Sequence, residues 1–256
     1  MIDLHNHVLC EIDDGATDFD HSLRMLEEAR RAGVEALACT PHHFHPNFPV
    51  QSPGEIVRRF EELRAEAPLT IHLGAEHYFG PDFVDAVERA ADTLIPFNGR
   101  NHLLLELGST LPGRYLEPIV FRLRDRGLRP VIAHPERHHD FASNFGLLDR
   151  LRELGCALQV NAKSLTGRYG SGPRKTARKL LEGRLAHLVG SDAHQSGDFA
   201  HYQEAATWVE KSLGEHYFDL LFIINPWMIL NGREPVEAED LDRVDTILAG
   251  IRTGAP

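Results

Sequence analysis

Ile2-Asp-Leu-His-Asn-His7 is a short apolar run that ends in two histidines one residue apart. Side chains alternate along an extended strand, so His5 and His7 point to the same face and can bind one ion from one side. An isolated His-x-His is more often a pair of surface histidines than a metal site. Its meaning therefore depends on what the rest of the chain supplies.

Five further strand-like runs also end in histidine, aspartate or glutamate. They are residues 34–40, 70–74, 102–105, 129–133 and 186–190, and they lead to His42, to Glu76, to Glu106, to His134, and to Asp192 with His194. A seventh run, residues 156–160, ends at Asn161. Acids and histidines placed by chance would be scattered, so the joint pattern is more specific than any one motif.

Helical patterns separate these runs, as in Phe19, Leu23 and Leu26 after the N-cap candidate Asp18. Strands that alternate with helices pair in parallel, because each crossover helix returns the chain to the same end of the sheet. No Gly-x-Gly-x-x-Gly follows the first strand, so an open doubly wound sheet ranks second. We predict an α/β fold, a seven-stranded (βα) barrel with ligands at its C-terminal rim.

No linker or low-complexity stretch divides the chain. We predict a single domain over residues 1–256, with the C-terminal helices from about residue 201 packing on the barrel. Trp208 and Trp227 are expected to be core residues.

Composition excludes several classes of protein. The net charge is −11, with 38 acidic and 27 basic residues and no basic tract, so nucleic acid is not an expected partner. Three cysteines, Cys10, Cys39 and Cys156, lack Cys-x-x-Cys spacing, which disfavours a disulfide framework and a thiolate zinc site. Neither a membrane span nor a signal peptide is visible, and we expect a cytoplasmic protein.

The predicted rim carries more metal donors than one ion needs, so we expect two or three divalent ions. Nitrogen and oxygen donors without thiolates suit manganese, iron or zinc. The nine candidates are His5, His7, Asp14, His42, Glu76, Glu106, His134, Asp192 and His194. Three divalent ions among four carboxylates would leave about two positive charges, which suits a phosphate dianion.

Phosphoester hydrolysis is the reaction that such a cluster favours. No cysteine is followed six residues later by arginine, and no Gly-x-Ser-x-Gly occurs, so cysteine and serine nucleophiles are unsupported.

Taken together, these motifs resemble the polymerase and histidinol phosphatase (PHP) superfamily. Within it, residues 1 to about 230 resemble the bacterial manganese-dependent protein-tyrosine phosphatases of the CpsB/CapC type, which act on tyrosine kinases of capsule and exopolysaccharide synthesis. The motifs are His5-Asn-His7, Asp13-Asp-Gly15, Thr40-Pro-His42, Gly74-Ala-Glu76, Glu106, Ala133-His-Pro-Glu-Arg137, Gln159-Val-Asn161 and Ser191-Asp-Ala-His194.

The resemblance implies a distorted seven-stranded barrel with three metal ions, most simply Mn²⁺, and a phosphotyrosine protein, a cognate bacterial kinase, as substrate. It assigns the ligands of the first ion to His5, His7, Glu76 and Asp192, of the second to Glu76, Glu106 and His134, and of the third to Asp14, His42 and His194. Arg137 would contact the phosphate and offset charge on the departing phenolate oxygen. The oligomeric state stays open.

One departure concerns a second arginine, which relatives carry shortly after the Ser-Asp-x-His segment. Here that stretch reads Gln195-Ser-Gly-Asp-Phe-Ala-His201. Arg168 or Arg174 could replace the arginine, although solvation of a helix surface is the simpler role for both. His43, His45, Cys39 and Cys10 are assigned to packing or to the rim.

Two alternatives remain at this point. The chain could be a small-molecule phosphatase of the histidinol-phosphatase kind, or a nuclease, which the acidic surface disfavours. It could also be a non-catalytic, metal-binding partner of the kinase, since the second arginine is absent.

Overall fold

The computed structural model describes residues 1–108 and 111–253. Ser109, Thr110 and residues 254–256, which the single-domain prediction includes, lie outside the described residues. The nine strands of this part are β1 Ile2–Asp3, β2 Ala36–Cys39, β3 His42–His43, β4 Thr70–Leu73, β5 Glu76–Tyr78, β6 His102–Glu106, β7 Arg129–Ala133, β8 Ala157–Asn161 and β9 Leu188–Gly190.

Helices connect the strands and form the C-terminal part. In the described ranges these are α1 Phe19–Arg31, α2 Pro53–Glu66, α3 Pro81–Arg89, α4 Leu116–Asp125, α5 His139–Ser143, α6 Phe145–Glu153, α7 Ala162–Thr166, α8 Ser171–Glu182, α9 Phe199–Leu213, α10 Glu215–Asp219, α11 Asn225–Leu230 and α12 Val244–Thr253. None of them combines the length and the apolar character that crossing a bilayer requires.

All strand pairs are parallel, which confirms the predicted α/β class. The described residues form two sheets, in the orders β1-β2-β4 and β3-β5-β6-β7-β8-β9, and not one closed sheet of seven strands. Each of the predicted strands 34–40 and 70–74 is followed at once by a short strand of the other sheet, β3 and β5 respectively. Pro41, which has no N–H to donate, lies between β2 and β3, and Gly74-Ala75 lies between β4 and β5.

The first segment of the chain also meets the segment that follows β9. Asn6 forms a parallel bridge with Ala193, where His7 N donates to Ala193 O at 2.8 Å and Asp192 N donates to His5 O at 2.7 Å. Two segments far apart in sequence thus run side by side exactly where predicted site residues lie.

A buried carboxylate holds these two segments together. Asp3 is fully buried and accepts hydrogen bonds from Ser191 N (2.9 Å), Ser191 Oγ (2.7 Å) and Asn6 Nδ2 (3.0 Å). Burial raises the pKa of Asp3, while the bonds from Ser191 oppose that rise. The carboxylate thereby fixes the backbone that carries His5 and Asp192.

Helix α1 has the predicted cap. Asp18 Oδ1 accepts a hydrogen bond from His21 N at 2.7 Å, and the chain leaves the helix through Gly33 at φ 87°. Of the face that the helical spacing predicted, Leu26 is fully buried while Phe19 and Leu23 are partly buried, and the neighbouring Met25 is fully buried as well.

The C-terminal helices pack on the sheet region. Tyr202 of α9 is buried and donates to Ile2 O at 2.9 Å. Trp208 and Trp227 are only partly buried, and each lies under an arginine, Arg178 at 5.1 Å and Arg233 at 5.0 Å respectively. The two indoles therefore border the core instead of filling it.

Asn225 connects β9 to the C-terminal segment, and its loss should destabilise the fold. The buried amide donates to His187 O (2.9 Å) and Val236 O (3.0 Å), and Oδ1 accepts from Val236 N (2.7 Å). We expect Asn225→Ala to lower the free energy of unfolding by roughly 3 kcal/mol, because buried backbone groups lose their partners. Urea denaturation measures the change.

Asn231→Ala is the matched control, since this asparagine is exposed and its side-chain amide donates to Trp227 O, within its own helical turn. It should change stability by less than about 0.5 kcal/mol. Equal effects of the two substitutions would contradict this role of Asn225.

Candidate metal centre

Two histidines and two carboxylates meet where the first segment passes Asp192. His5 Nε2 lies 3.2 Å from Glu76 Oε1 and 3.5 Å from Asp192 Oδ1. His7 Nε2 lies 3.4 Å from Glu76 Oε2 and 3.5 Å from the same Asp192 oxygen. All four side chains are buried, so the predicted common face of His5 and His7 is the one that turns inward.

The other ring nitrogen of each histidine has its own partner. His5 Nδ1 donates to Gln159 Oε1 at 2.9 Å, and His7 Nδ1 donates to Asp13 Oδ2 at 2.7 Å. This assigns the proton to Nδ1 and leaves the Nε2 lone pair of both rings for an ion, as in protein metal sites whose histidines are oriented by an outer carboxylate or carbonyl.

Gly15 allows this arrangement because no side chain fits there. A Cβ on Gly15 would lie 2.0 Å from the His7 carbonyl oxygen and 2.5 Å from His7 Cβ. The turn that carries Asp13 and Asp14 can therefore close directly over His7.

A second cluster of donors, formed by His134, Glu76 and Glu106, lies beside the cluster of His5, His7, Glu76 and Asp192. His134 Nε2 is 3.0 Å from Glu76 Oε1 and 3.9 Å from Glu106 Oε1. Glu76 thus faces both groups, in the position of a bridging carboxylate.

A third group is the most exposed. Asp14 Oδ1 lies 3.4 Å from His194 Nε2 and 3.7 Å from His42 Nε2, and the Asp14 side chain is 54% exposed. The His7 and His194 rings stack at 3.9 Å, so this group is contiguous with the first. All nine predicted donors are therefore brought together.

Two of these donors sit in unusual backbone conformations. His134 has φ 32° and Asp192 has φ 50°, both in the left-handed region that non-glycine residues rarely adopt. Such strain persists where surrounding structure enforces it, and it clusters at functional sites.

His45 is a further donor that the sequence interpretation assigned to the rim. Its ring nitrogen lies close enough to His42 and Glu106 donor atoms for one ion to contact all three. His43, in contrast, is buried and bonds Thr93 O at 3.1 Å, and Cys10 and Cys39 are also buried. The only sequence feature that could have indicated His45 was its position just after His42.

The donor set fits divalent transition-metal ions. Within residues 1–108 and 111–253, several buried donor atoms at the site have no hydrogen-bond partner: His5 Nε2, His7 Nε2, His42 Nδ1 and Glu106 Oε2. Unpaired polar atoms are costly in a protein interior, and a cation among them would remove that cost.

The pKa shifts of the site also indicate that it can accept cations. Burial raises the pKa of Glu106 to about 8, and the neighbouring Glu76 carboxylate adds to the rise. Burial alone would lower the pKa of His5, but Glu76 and Asp192 raise it to about 9. The Glu106 carboxyl and the His5 imidazole thus retain protons at positions where bound ions would otherwise supply positive charge.

Arg137 lines a cavity beside the metal donors, which is the position expected of a phosphate-binding residue. Its Nη1 donates to Asp192 Oδ2 at 3.2 Å, and its guanidinium stacks over Tyr169 at 4.6 Å. The side chain is 38% exposed, so it borders open space as well as the donor cluster.

The cavity measures about 370 Å³, and its lining includes Lys163 and Tyr169, which the sequence interpretation missed. Arg168 and Arg174, the proposed replacements for a second arginine, are exposed and are not among its lining residues. Lys163 follows Asn161 at the end of β8, but a lysine two residues beyond an asparagine carries no recognisable motif.

Comparison with known proteins places the chain in context. A family model described as "Capsular polysaccharide synthesis, CpsB/CapC" matches residues 1–231. The tyrosine-protein phosphatase YwqE of Bacillus subtilis is 34% identical over 223 residues, 84% of this chain and 85% of the relative. The tyrosine-protein phosphatase CpsB of Streptococcus pneumoniae is 30% identical over 243 residues, 90% of this chain and 98% of the relative.

Solved structures agree. A chain from the work describing YwqE from Bacillus subtilis and CpsB from Streptococcus pneumoniae as metal-dependent tyrosine phosphatases matches with a TM-score of 0.83 at 30% identity, covering 93% of this chain and 97% of that one. Histidinol phosphate phosphatase from Lactococcus lactis shares the fold, with a TM-score of 0.58 at 15% identity over 84% of this chain and 94% of that one.

Replacing His5 and His7 together by alanine should remove bound metal. Both rings converge on Glu76 and Asp192, so their loss halves the donors at that point. We expect at least one ion fewer per chain by inductively coupled plasma mass spectrometry, with far-ultraviolet circular dichroism unchanged.

The matched control is His139→Ala, a histidine whose side chain is 88% exposed. It should keep the full metal content. Unchanged metal content in the double variant would show that the first segment holds no ion.

Proposed function

The chain belongs to the CpsB/CapC family, and we propose that it is a metal-dependent phosphomonoesterase that removes phosphate from protein tyrosine residues. The observation that carries this is the convergence of nine nitrogen and oxygen donors in one cluster, seven of which line a cavity that Arg137 borders. Relatives named as tyrosine-protein phosphatases over most of the chain support the same activity.

We propose three ion sites that together draw on all nine donors, and the first two of them share Glu76. The sets are His5, His7, Glu76 and Asp192; Glu76, Glu106 and His134; and Asp14, His42 and His194, with His45 as an additional donor beside Glu106. Divalent ions supply Lewis-acid stabilisation of negative charge on phosphoryl oxygens and activate water. Mn²⁺ is the ion we propose.

Arg137 would act on the substrate directly. Its guanidinium can donate paired hydrogen bonds to phosphate oxygens and offset the charge that develops on the departing phenolate oxygen. The contact with Asp192 and the stack on Tyr169 hold the guanidinium at the cavity wall before substrate arrives. Little ordering is then left for the binding step.

A second cavity of about 240 Å³ supports an aryl substrate. It shares Glu106, His134 and Arg137 with the first cavity, and aromatic Tyr78 and Phe141 are among its other lining residues. A phosphate bound near Arg137 could therefore direct its attached ring into this second space. A small aliphatic phosphoester would leave it unfilled.

The wider biological setting rests on the family. We propose that the substrate is a bacterial tyrosine kinase of polysaccharide synthesis and that the protein works in the cytoplasm. Buried, unpaired cysteines fit a reducing compartment. We also propose one domain built as a distorted seven-stranded barrel, since the Asn6–Ala193 bridge brings the two sheets' end segments together.

Phosphate release from a phosphotyrosine peptide tests the proposed activity. Protein loaded with Mn²⁺ should release phosphate, and chelator should abolish release because the ions provide the charge stabilisation. Re-addition of Mn²⁺ should restore the rate. Full activity after complete metal removal would overturn the proposal.

Substrate comparison separates the alternatives. Histidinol phosphate turned over faster than the peptide would identify a small-molecule phosphatase, and cleavage of single-stranded DNA would identify a nuclease. Kinase binding without hydrolysis of any phosphoester would identify a non-catalytic partner.

Arg137→Ala should lower kcat/KM for the phosphotyrosine peptide by about 100-fold, because a charged hydrogen-bond donor to the transition state is lost. Metal content should not change. Arg168→Ala is the control, since Arg168 is exposed outside the cavity, and it should leave kcat and KM unchanged. Similar losses in both variants would contradict the role assigned to Arg137.

A further inference from the structure

Lys163 is a buried lysine in the wall of the candidate metal cavity. It lies in α7, immediately beyond β8, and only 5% of its surface is exposed. It lines the same 370 Å³ cavity as Arg137 and Asp192. Lysine is almost never buried to this degree without a specific partner.

The partner accounts for only part of its hydrogen-bonding capacity. Lys163 Nζ donates to Asp198 Oδ2 at 3.2 Å, and the Tyr169 hydroxyl is a second polar neighbour of the ammonium group. An ammonium group has three N–H donors. At least one donor thus remains for a group that enters the cavity.

The Asp198 carboxylate has a second hydrogen-bond partner besides Lys163. The same Oδ2 accepts a hydrogen bond from His194 N at 3.0 Å, so this carboxylate also fixes the backbone of a candidate ligand. A buried lysine–aspartate pair gains little stability on its own, because removing two charges from water costs about as much as their attraction returns. Neutralising Asp198 is therefore a weak reason for a lysine here.

Lys163 and Arg137 are organised around one aromatic ring. Lys163 Nζ lies 5.7 Å and the Arg137 guanidinium carbon 4.6 Å from the centre of the Tyr169 ring. The Tyr169 hydroxyl lies 3.4 Å from Asp192 Oδ2. Two cations thus border the same part of the cavity, and each donates a hydrogen bond to a different carboxylate, Arg137 to Asp192 and Lys163 to Asp198.

Asn161 sets the position of this lysine relative to the donor cluster. Its Oδ1 accepts from Lys163 N at 2.8 Å, and its Nδ2 donates to Asp192 Oδ2 at 2.5 Å. One side chain therefore fixes both the start of α7 and a carboxylate of the site.

We propose that Lys163 is a second phosphate-binding residue that acts together with Arg137 on the phosphoryl oxygens of the substrate. This deepens the proposed function and rests on it. The segment 195–201, beyond His194, contains no lysine or arginine, so β8 and α7 supply the cation that this turn lacks.

Calorimetric titration of Mn²⁺-loaded protein with inorganic phosphate tests the proposal apart from turnover. Lys163→Met should weaken phosphate binding by about 10- to 100-fold, the effect of losing one charged hydrogen bond. Lys163→Arg should recover most of the affinity. Metal content and circular dichroism should match the wild type, and Lys163→Gln replaces the methionine variant if that one does not fold.

Two controls separate binding from packing. Lys175→Met, on the exposed side of α8, should leave affinity unchanged. The double variant Lys163→Met/Asp198→Asn should bind phosphate as weakly as Lys163→Met does. If Lys163 only neutralised Asp198, the double variant would instead bind phosphate with wild-type affinity. Wild-type affinity in Lys163→Met, wild-type affinity in the double variant, or no phosphate binding by the wild type would each overturn the proposal.

The two proposals can fail separately. Wild-type protein that binds phosphate through Lys163 but hydrolyses no phosphotyrosine would refute the activity and retain the binding residue. Phosphotyrosine hydrolysis with unchanged phosphate affinity in Lys163→Met would do the reverse.

Discussion

The Asp3 carboxylate determines how the candidate site is assembled. It is fully buried and accepts three bonds from Ser191 and Asn6, residues from the two segments that carry His5, His7 and Asp192. A buried carboxylate without these donors would be strongly destabilising, so the segments have little freedom to separate. The fold therefore brings these donors close together.

The converging donors include charged and polar atoms that the neighbouring side chains satisfy poorly. Glu76 and Glu106 share one buried space, in which, against the effect of burial, His5 and His42 lower the pKa of Glu76, while burial raises the pKa of Glu106 to about 8. The Asn161 and Gln159 side chains orient neighbouring donors but do not neutralise them. A site of this kind trades stability for function, since its unpaired donors gain most when cations and an anionic substrate enter together.

The sequence predicted the parallel α/β architecture and brought together all nine donors, because strand ends in such folds meet at one edge. It did not predict the short strands β3 and β5 that follow Pro41 and Gly74-Ala75, since sheet membership depends on pairing partners that periodicity does not encode. His45 was missed because its loop conformation, with the preceding Phe44 at φ 61°, is what turns the ring toward Glu106. Arg168 and Arg174 were plausible substitutes by sequence distance, but both are exposed.

Lys163 could not be found by a sequence motif, because its role depends on its position in space and not on its neighbours in the sequence. A phosphate group requires positive charge at a point in space, and several converging strand ends can each deliver a side chain to that point. Asn161 places Lys163 by capping α7, and Tyr169 places the lysine beside Arg137. A lysine here differs from an arginine after β9 in reach and in geometry, because an ammonium is a compact charge without the planar fork of a guanidinium. Two unlike cations around one ring would hold a phosphate by one paired contact and one point contact, which constrains its orientation more than either would alone.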